Sequence, residues 1–92
     1  MQVLFHLGQI VATPTCLDAV QAAKDQTAPY LRRHVTGDWS EMDPHDQEQN
    51  RQAVKSGNDR VFSAYKLKDG TKIWIITEWD RSATTLLLPS DY

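Results

Sequence analysis

Glu78, Arg81, Thr84, Thr85 and Tyr92, with His6 or His34 brought from elsewhere in the chain, are residue types from which a small ribonuclease can be built. In such an enzyme a Glu or His acts as base, while Arg or Lys holds the phosphate and the charge of the transition state. A plainer reading competes with it. Glu78-Trp79-Asp80-Arg81-Ser82 interrupts two apolar runs, Ile73–Ile76 and Leu86–Leu88, and a turn calls for such residues on solubility and backbone grounds alone. The basic residues are also scattered, as Arg32-Arg33, Lys66, Lys68, Lys72 and Arg81. Turn chemistry ranks first, with Asp80-Arg81 in the turn of a hairpin. On that reading Ile75→Asp unfolds the domain, and Arg81→Ala leaves the melting temperature nearly unchanged.

Other chemistries find less support. Cys16 lies near an expected helix N-terminus, which lowers a thiol pKa, but no histidine is placed beside it by local spacing. A buried small hydrophobe is the favoured role. His45 stands among Asp43, Asp46 and Glu48, yet no His-x-x-x-His or Cys-x-x-Cys spacing accompanies it. The segment 38–48 also lacks the alternating oxygen ligands and central glycine of an EF-hand. The four glycines are isolated, so neither a P-loop nor a dinucleotide fingerprint can be written. No metal and no cofactor is expected.

The most unusual stretch is acidic. Asp38, Glu41, Asp43, Asp46 and Glu48 occur with no Lys or Arg until Arg51, and Trp39 and Met42 lie among them. Helix-dipole complementarity explains Asp43 and Asp46. It does not explain an aromatic ring in a polar loop. Trp39 is either a lid folded back on the core or the anchor of a binding surface, and lids are commoner. As an anchor it would centre an acidic patch suited to a partner's basic surface. The candidate partner-binding residues are thus Asp38, Trp39, Glu41, Asp43, Asp46 and Glu48, with Glu78, Asp80 and Arg81 from the polar turn.

Positioning these residues falls to one domain spanning 1–92, with 40% hydrophobic and 24% charged residues and a formal net charge of -2. A net negative chain is not the strongly basic type that binds nucleic acid directly. No apolar run approaches the roughly 20 residues of a membrane helix. The first residues lack a basic n-region, and a lone cysteine fits a reducing compartment, so a cytosolic location is expected. Val3–Thr13 reads as a strand with a bulge at Gly8. Thr13-Pro14 opens a helix burying Leu17, Val20 and Ala23. Thr27 caps a second helix, with Pro29 in its first turn, that carries Tyr30, Leu31 and Val35 inward until Gly37. Asp43-Pro44 opens a third, ending at Gly57, so polar that only Ala53 and Val54 are left to dock its end. From Arg60 the period becomes that of strands: Arg60–Leu67, a type I′ hairpin at Asp69-Gly70, then Ile73–Trp79 and Ala83–Leu88. The order predicts an α+β fold, an antiparallel sheet of three to four strands with two to three helices packed on one face. The partner of the first strand is left open.

Gly37-Asp38-Trp39, Phe62-Ser63-Ala64-Tyr65, Asp69-Gly70-Thr71, Ile75-Ile76-Thr77-Glu78 and Asp80-Arg81-Ser82, followed by Thr84–Pro89, together resemble a family of small bacterial proteins. Its members occur on plasmids, integrative elements and phages, and carry labels such as "plasmid-related protein" or "type I restriction endonuclease subunit M". The resemblance spans most of the chain and is strongest from Gly37 onward. A methyltransferase subunit needs a doubly wound domain with a glycine-rich first turn and an Asn-Pro-Pro-aromatic motif, and this chain has neither. What the resemblance implies is an accessory gene of mobile DNA. Small acidic proteins in that setting are often inhibitors of host defence nucleases, including restriction enzymes and CRISPR complexes. The expected activity is therefore non-enzymatic binding to a host protein or ribonucleoprotein complex, without specific nucleic-acid contact and without a membrane. Oligomeric state is left open, and a small ribonuclease or a regulatory accessory protein is the alternative.

Overall fold

Two of the three helices are capped by the side chain that the sequence offers, and the expected cap of the other, Thr27, makes no such bond. In a computed structural model describing residues 2–92, α1 spans Pro14–Ala22, α2 Ala28–Thr36 and α3 Pro44–Ser56. Thr13 Oγ1 accepts from Cys16 N–H at 3.2 Å and Asp43 Oδ1 from Asp46 N–H at 2.9 Å, each satisfying one otherwise orphaned amide. Thr27 precedes α2 without a side-chain cap. Gly37 and Gly57 end α2 and α3 in left-handed conformation.

The strands are β1 (Gln9–Ala12), β2 (Val61–Lys66), β3 (Lys72–Thr77) and β4 (Ala83–Leu87), and a short 3₁₀ turn, Pro89–Asp91, closes the chain. They form one sheet in the order β1-β4-β3-β2. The meander β2-β3-β4 is antiparallel, with Ile75 opposite both Ser63 and Leu86. The first strand completes the expected four, but it runs parallel to β4, Gln9 opposite Ala83 and Ala12 opposite Leu86. It enters α1 directly at Thr13, and only after the helices and the meander does the chain return beside it, as a parallel pair requires.

Three expectations are corrected. The first strand is confined to Gln9–Ala12 rather than Val3–Thr13, because Gly8 turns the chain at φ 65°. A Cβ there would lie 2.4 Å from Arg81 O and Ser82 O, so the close approach of the β3–β4 turn requires glycine. Before it, Leu4 N–H donates to Val35 O and Phe5 packs edge-on against His34, 5.2 Å between centroids. Leu17 is 49% exposed, leaving Cys16 and Val20 as the buried face of α1. The β2–β3 turn is not type I′, since Gly70 alone in it has positive φ. Gly70 N–H bonds Leu67 O and Leu67 N–H bonds Thr71 O, a three-residue loop with glycine in the left-handed position. Asp69 Oδ1 accepts from Thr71 N–H, which fixes the aspartate without inverting its φ.

The helix-facing side of the sheet carries two apolar clusters. One gathers Cys16, Val20, Tyr30, Tyr65, Leu67, Ile73, Ile75 and Leu86, and the other Phe5, Val35, Trp39, Ala53 and Val61. Along β2, β3 and β4 the boundary between them falls at Ser63, Thr77 and Thr84, all buried and polar. The opposite face presents Phe62 and Trp74 edge to face at 5.0 Å, with Tyr92 against Trp74 at 5.8 Å.

Candidate functional site

The acidic segment folds along the outer edge of β2, and its members divide by what they bind. Asp38 Oδ2 accepts from Arg33 Nε at 2.8 Å and Oδ1 from Ser40 Oγ at 2.8 Å. Arg33 first, then Ser40, holds this carboxyl below its ordinary range. Trp39 is 4% exposed, and its Nε1–H donates to Ser63 Oγ at 2.9 Å. The ring is a core lid, so Trp39 is not the exposed anchor of a binding surface. Glu41 Oε2 takes Arg33 Nη1 at 2.8 Å, and its Oε1 accepts the Lys66 N–H at 3.2 Å. Glu48 turns along the helix to Arg51 and Gln52. Asp43 caps α3, and the Asp46 carboxylate is exposed. Neither forms an ion pair with Lys or Arg among the described residues.

Between α3 and β2 lies a groove. A hollow of about 320 Å³ is lined by Glu41, Met42, Asp43, Asp46, Phe62, Ala64, Tyr65, Lys66 and Lys72. A second, of about 460 Å³, shares Met42, Asp46 and Phe62 with it and continues past Gln49 toward Arg60. Asn50 forms the groove's hinge with the sheet. Its Oδ1 accepts from Phe62 N–H at 3.0 Å and its Nδ2 donates to Phe62 O at 2.6 Å. One side-chain amide thus imitates a neighbouring strand and closes part of the edge. This polar dock holds the middle of so hydrophilic a helix, and Ala53 and Val54 dock its end against the Phe5–Trp39 cluster as expected. No hydrophobic pattern announces the Asn50 dock.

Glu78, Asp80 and Arg81 sit in the β3–β4 turn, where Arg81 reaches the C-terminal part of α3 at Ala53. Asp80-Arg81 does lie in the β3–β4 turn, closed by Arg81 N–H to Glu78 O and Glu78 N–H to Ala83 O. Asp80 accepts from Ser82, which keeps its carboxyl acidic. Arg81 is more than a turn residue. At φ 61° its guanidinium donates to the carbonyls of Asp59 (2.6 Å), Ala53 (3.0 Å), Glu78 (3.1 Å) and Trp79 (3.1 Å). It also lies 5.6 Å over the Phe5 ring. The expectation that Arg81→Ala is harmless is therefore corrected: the side chain ties the end of α3 to the turn.

The ribonuclease constellation does not converge. His34 is 0% exposed, and burial pushes its pKa down to about 3. Thr84 is buried and donates to Leu7 O at 2.7 Å, whereas Thr85, next along the strand, faces the other side of the sheet. The Tyr92 hydroxyl accepts from Arg60 Nη2 at 3.1 Å. Arg81, the cation proposed to hold the phosphate, is committed to carbonyls. Cys16 is fully buried, and burial, then Asp91, raises its thiol pKa, opposite to the activation a nucleophile needs. Among the described residues no three His, Cys, Asp or Glu side chains group as metal ligands.

Hydrogen bonding fixes the state of His34. Thr84 donates to Leu7 O, so it must accept from Thr77, 2.7 Å away. Thr77 then accepts from His34 Nε2–H at 2.8 Å. On the other side Trp39 donates to Ser63 Oγ, and Ser63 donates to His34 Nδ1. The chain runs in order with a neutral, Nε2-protonated imidazole and no orphaned atom. Its only advance signal is the position of His34 between Tyr30 and Val35 on the inward face of α2. Comparison with protein-family models, with curated proteins and with solved structures returns no match.

Proposed function

We propose that this chain acts by binding, as a non-enzymatic accessory protein of a mobile genetic element that inhibits a host nucleic-acid-handling complex of the restriction or CRISPR kind. The contact face is the acidic mouth of the α3–β2 groove. The observation that carries this reading is the pairing state of the acids. Asp38, Glu41 and Glu48 pair with Arg33 or Arg51, and Asp43 caps α3. The exposed Asp46 has no Lys or Arg partner among the described residues and lies beside Met42 and Phe62. Lys66 and Lys72 line the β2 side of the hollow, and the apolar floor with the Asp43 and Asp46 carboxylates on the α3 side suits a Lys or Arg side chain, whose stem packs while its head is neutralised. Proteins that handle nucleic acid carry basic surfaces of that kind. The genetic setting implied by the family resemblance supplies the choice of target.

A pull-down from host lysate followed by mass spectrometry tests the proposal. The expected result is a stoichiometric nucleic-acid-handling complex that the protein inhibits by titration. Absence of a protein partner, with multiple-turnover RNA cleavage abolished by Glu78→Gln in a folded protein, overturns it in favour of an enzyme.

A further inference from the structure

The two edges of the sheet are finished differently. At β2 the outward amides of Phe62 and Lys66 are met by Asn50 and Glu41. At β1 nothing comparable is present among the described residues. Gln9 N–H donates inward to Ser82 O and Thr13 N–H to Leu86 O, each at 3.0 Å. Strand alternation therefore turns the peptide groups of Ile10 and Ala12 outward, away from β4. Ile10 is 51% and Val11 41% exposed. The stretch Leu7–Leu17 contains no Asp, Glu, Lys, Arg or His. Charge and proline within the strand, the usual means of blunting an edge, are both missing from Gln9–Ala12.

We propose that β1 is the pairing edge of a two-fold dimer, occupied by β1 of a second copy running antiparallel. With the axis at Val11, Ile10 stands opposite Ala12 of the second copy, and the outward N–H and C=O groups of both residues are exchanged in each direction. Val11 then meets its own counterpart on the helix-free face, a close β-branched pair. Charge selects this occupant. The edge has no carboxylate with which to recruit the basic partner assigned to the α3 groove, and two negatively charged chains meet here without opposing charges of like sign. Asn50 at Phe62 and Glu41 at Lys66 block the β2 edge on either side of Ala64, which opposes growth once the two sheets have joined. The result is a closed dimer and not a fibre.

Sedimentation equilibrium of the full chain, from micromolar to submillimolar concentration, tests this. Ile10→Pro removes an outward donor without touching the β1–β4 ladder, and Val11→Lys sets like charges face to face. Trp79→Ser, at an exposed apolar residue of the β3–β4 turn, is the control. The expected result is a wild type and a Trp79→Ser variant of twice the monomer mass. Val11→Lys, folded by circular dichroism, then dissociates at least tenfold more readily, and Ile10→Pro does the same if it folds. A monomeric wild type, an undiminished Val11→Lys dimer, open-ended assemblies, or a foreign strand captured at β1 by a monomeric wild type would each overturn the proposal.

Discussion

α1 buries Cys16 and Val20 in one apolar cluster with Ile73, Ile75 and Leu86, whereas α3 buries only Asn50 and Ala53. On the α3 side, fastening passes to polar side chains: Arg81 at the helix end, Asn50 at its middle, Glu41 before its start, and the Trp39–Ser63–His34 chain beneath. Apolar packing is non-directional and tolerates small shifts. Hydrogen bonds to single backbone groups fix a register, and a buried imidazole makes that register depend on its protonation state. The two sides should therefore fail differently.

Acid gives the largest expected difference. Since the folded pKa of His34 is lowered to about 3 from 6.5, folding favours the neutral ring. The stability it contributes is fully present above pH 6.5 and is lost as pH falls from there toward 3. The slope is about 1.4 kcal/mol per pH unit, hence about 3 kcal/mol two units below 6.5. Urea titrations across that window check it, and His34→Gln, which cannot take up a proton, should flatten the profile. An unchanged slope in that variant would place the acid sensitivity elsewhere.

Next comes Arg81→Ala, expected to lower stability by about 3 kcal/mol through loss of several charge-assisted bonds to carbonyls. Arg81→Gly should recover roughly 1 kcal/mol of that, because glycine removes the left-handed backbone strain without restoring the bonds. Equal stability of the two variants would show that the φ of 61° carries no cost. Asn50→Ala follows at about 2 kcal/mol, from two part-buried backbone groups left without partners. Hydrogen exchange should then show faster exchange at Phe62 and little change at Ile75. The smallest effect is expected on the apolar side. Cys16→Ala removes one buried sulfur and should cost about 1 kcal/mol, independent of pH between 5 and 7.

The element boundaries on both sides are legible in the sequence. Thr13-Pro14 and Asp43-Pro44 marked helix starts, Gly37 and Gly57 marked stops, and the alternation after Arg60 gave the meander, since each signal lies within a few residues of what it specifies. The α3 side depends on bonds across long separations. Asn50 reaches Phe62, His34 reaches Ser63 and Thr77, and Trp39 reaches Ser63. Nothing local distinguishes those polar residues from solvated ones. The bonds of Arg81 are hidden for the same reason, because a turn accounts for an arginine without requiring it. The parallel pairing of β1 depends on the whole intervening chain. Within the candidate site, the acidic character of 38–48 could be read directly, but which carboxylates remain exposed depended on where Arg33 and the Lys66 amide lie.

That distinction allows a direct test of the binding proposal. Asp46 stands at the groove mouth and Asp18 is exposed on α1, so Asp46→Lys and Asp18→Lys change the net charge equally on the two sides. Asp18→Lys should leave stability within about 0.5 kcal/mol, and Asp46→Lys within about 1 kcal/mol because it also reverses a charge in the first turn of α3. Quantitative capture of the host partner by each variant, at two salt concentrations, is the decisive measurement. Loss of binding for Asp46→Lys, with near-wild-type capture by Asp18→Lys, is the predicted result. Equal weakening of both, or none for Asp46→Lys, would contradict the assignment of the α3–β2 groove as the binding face.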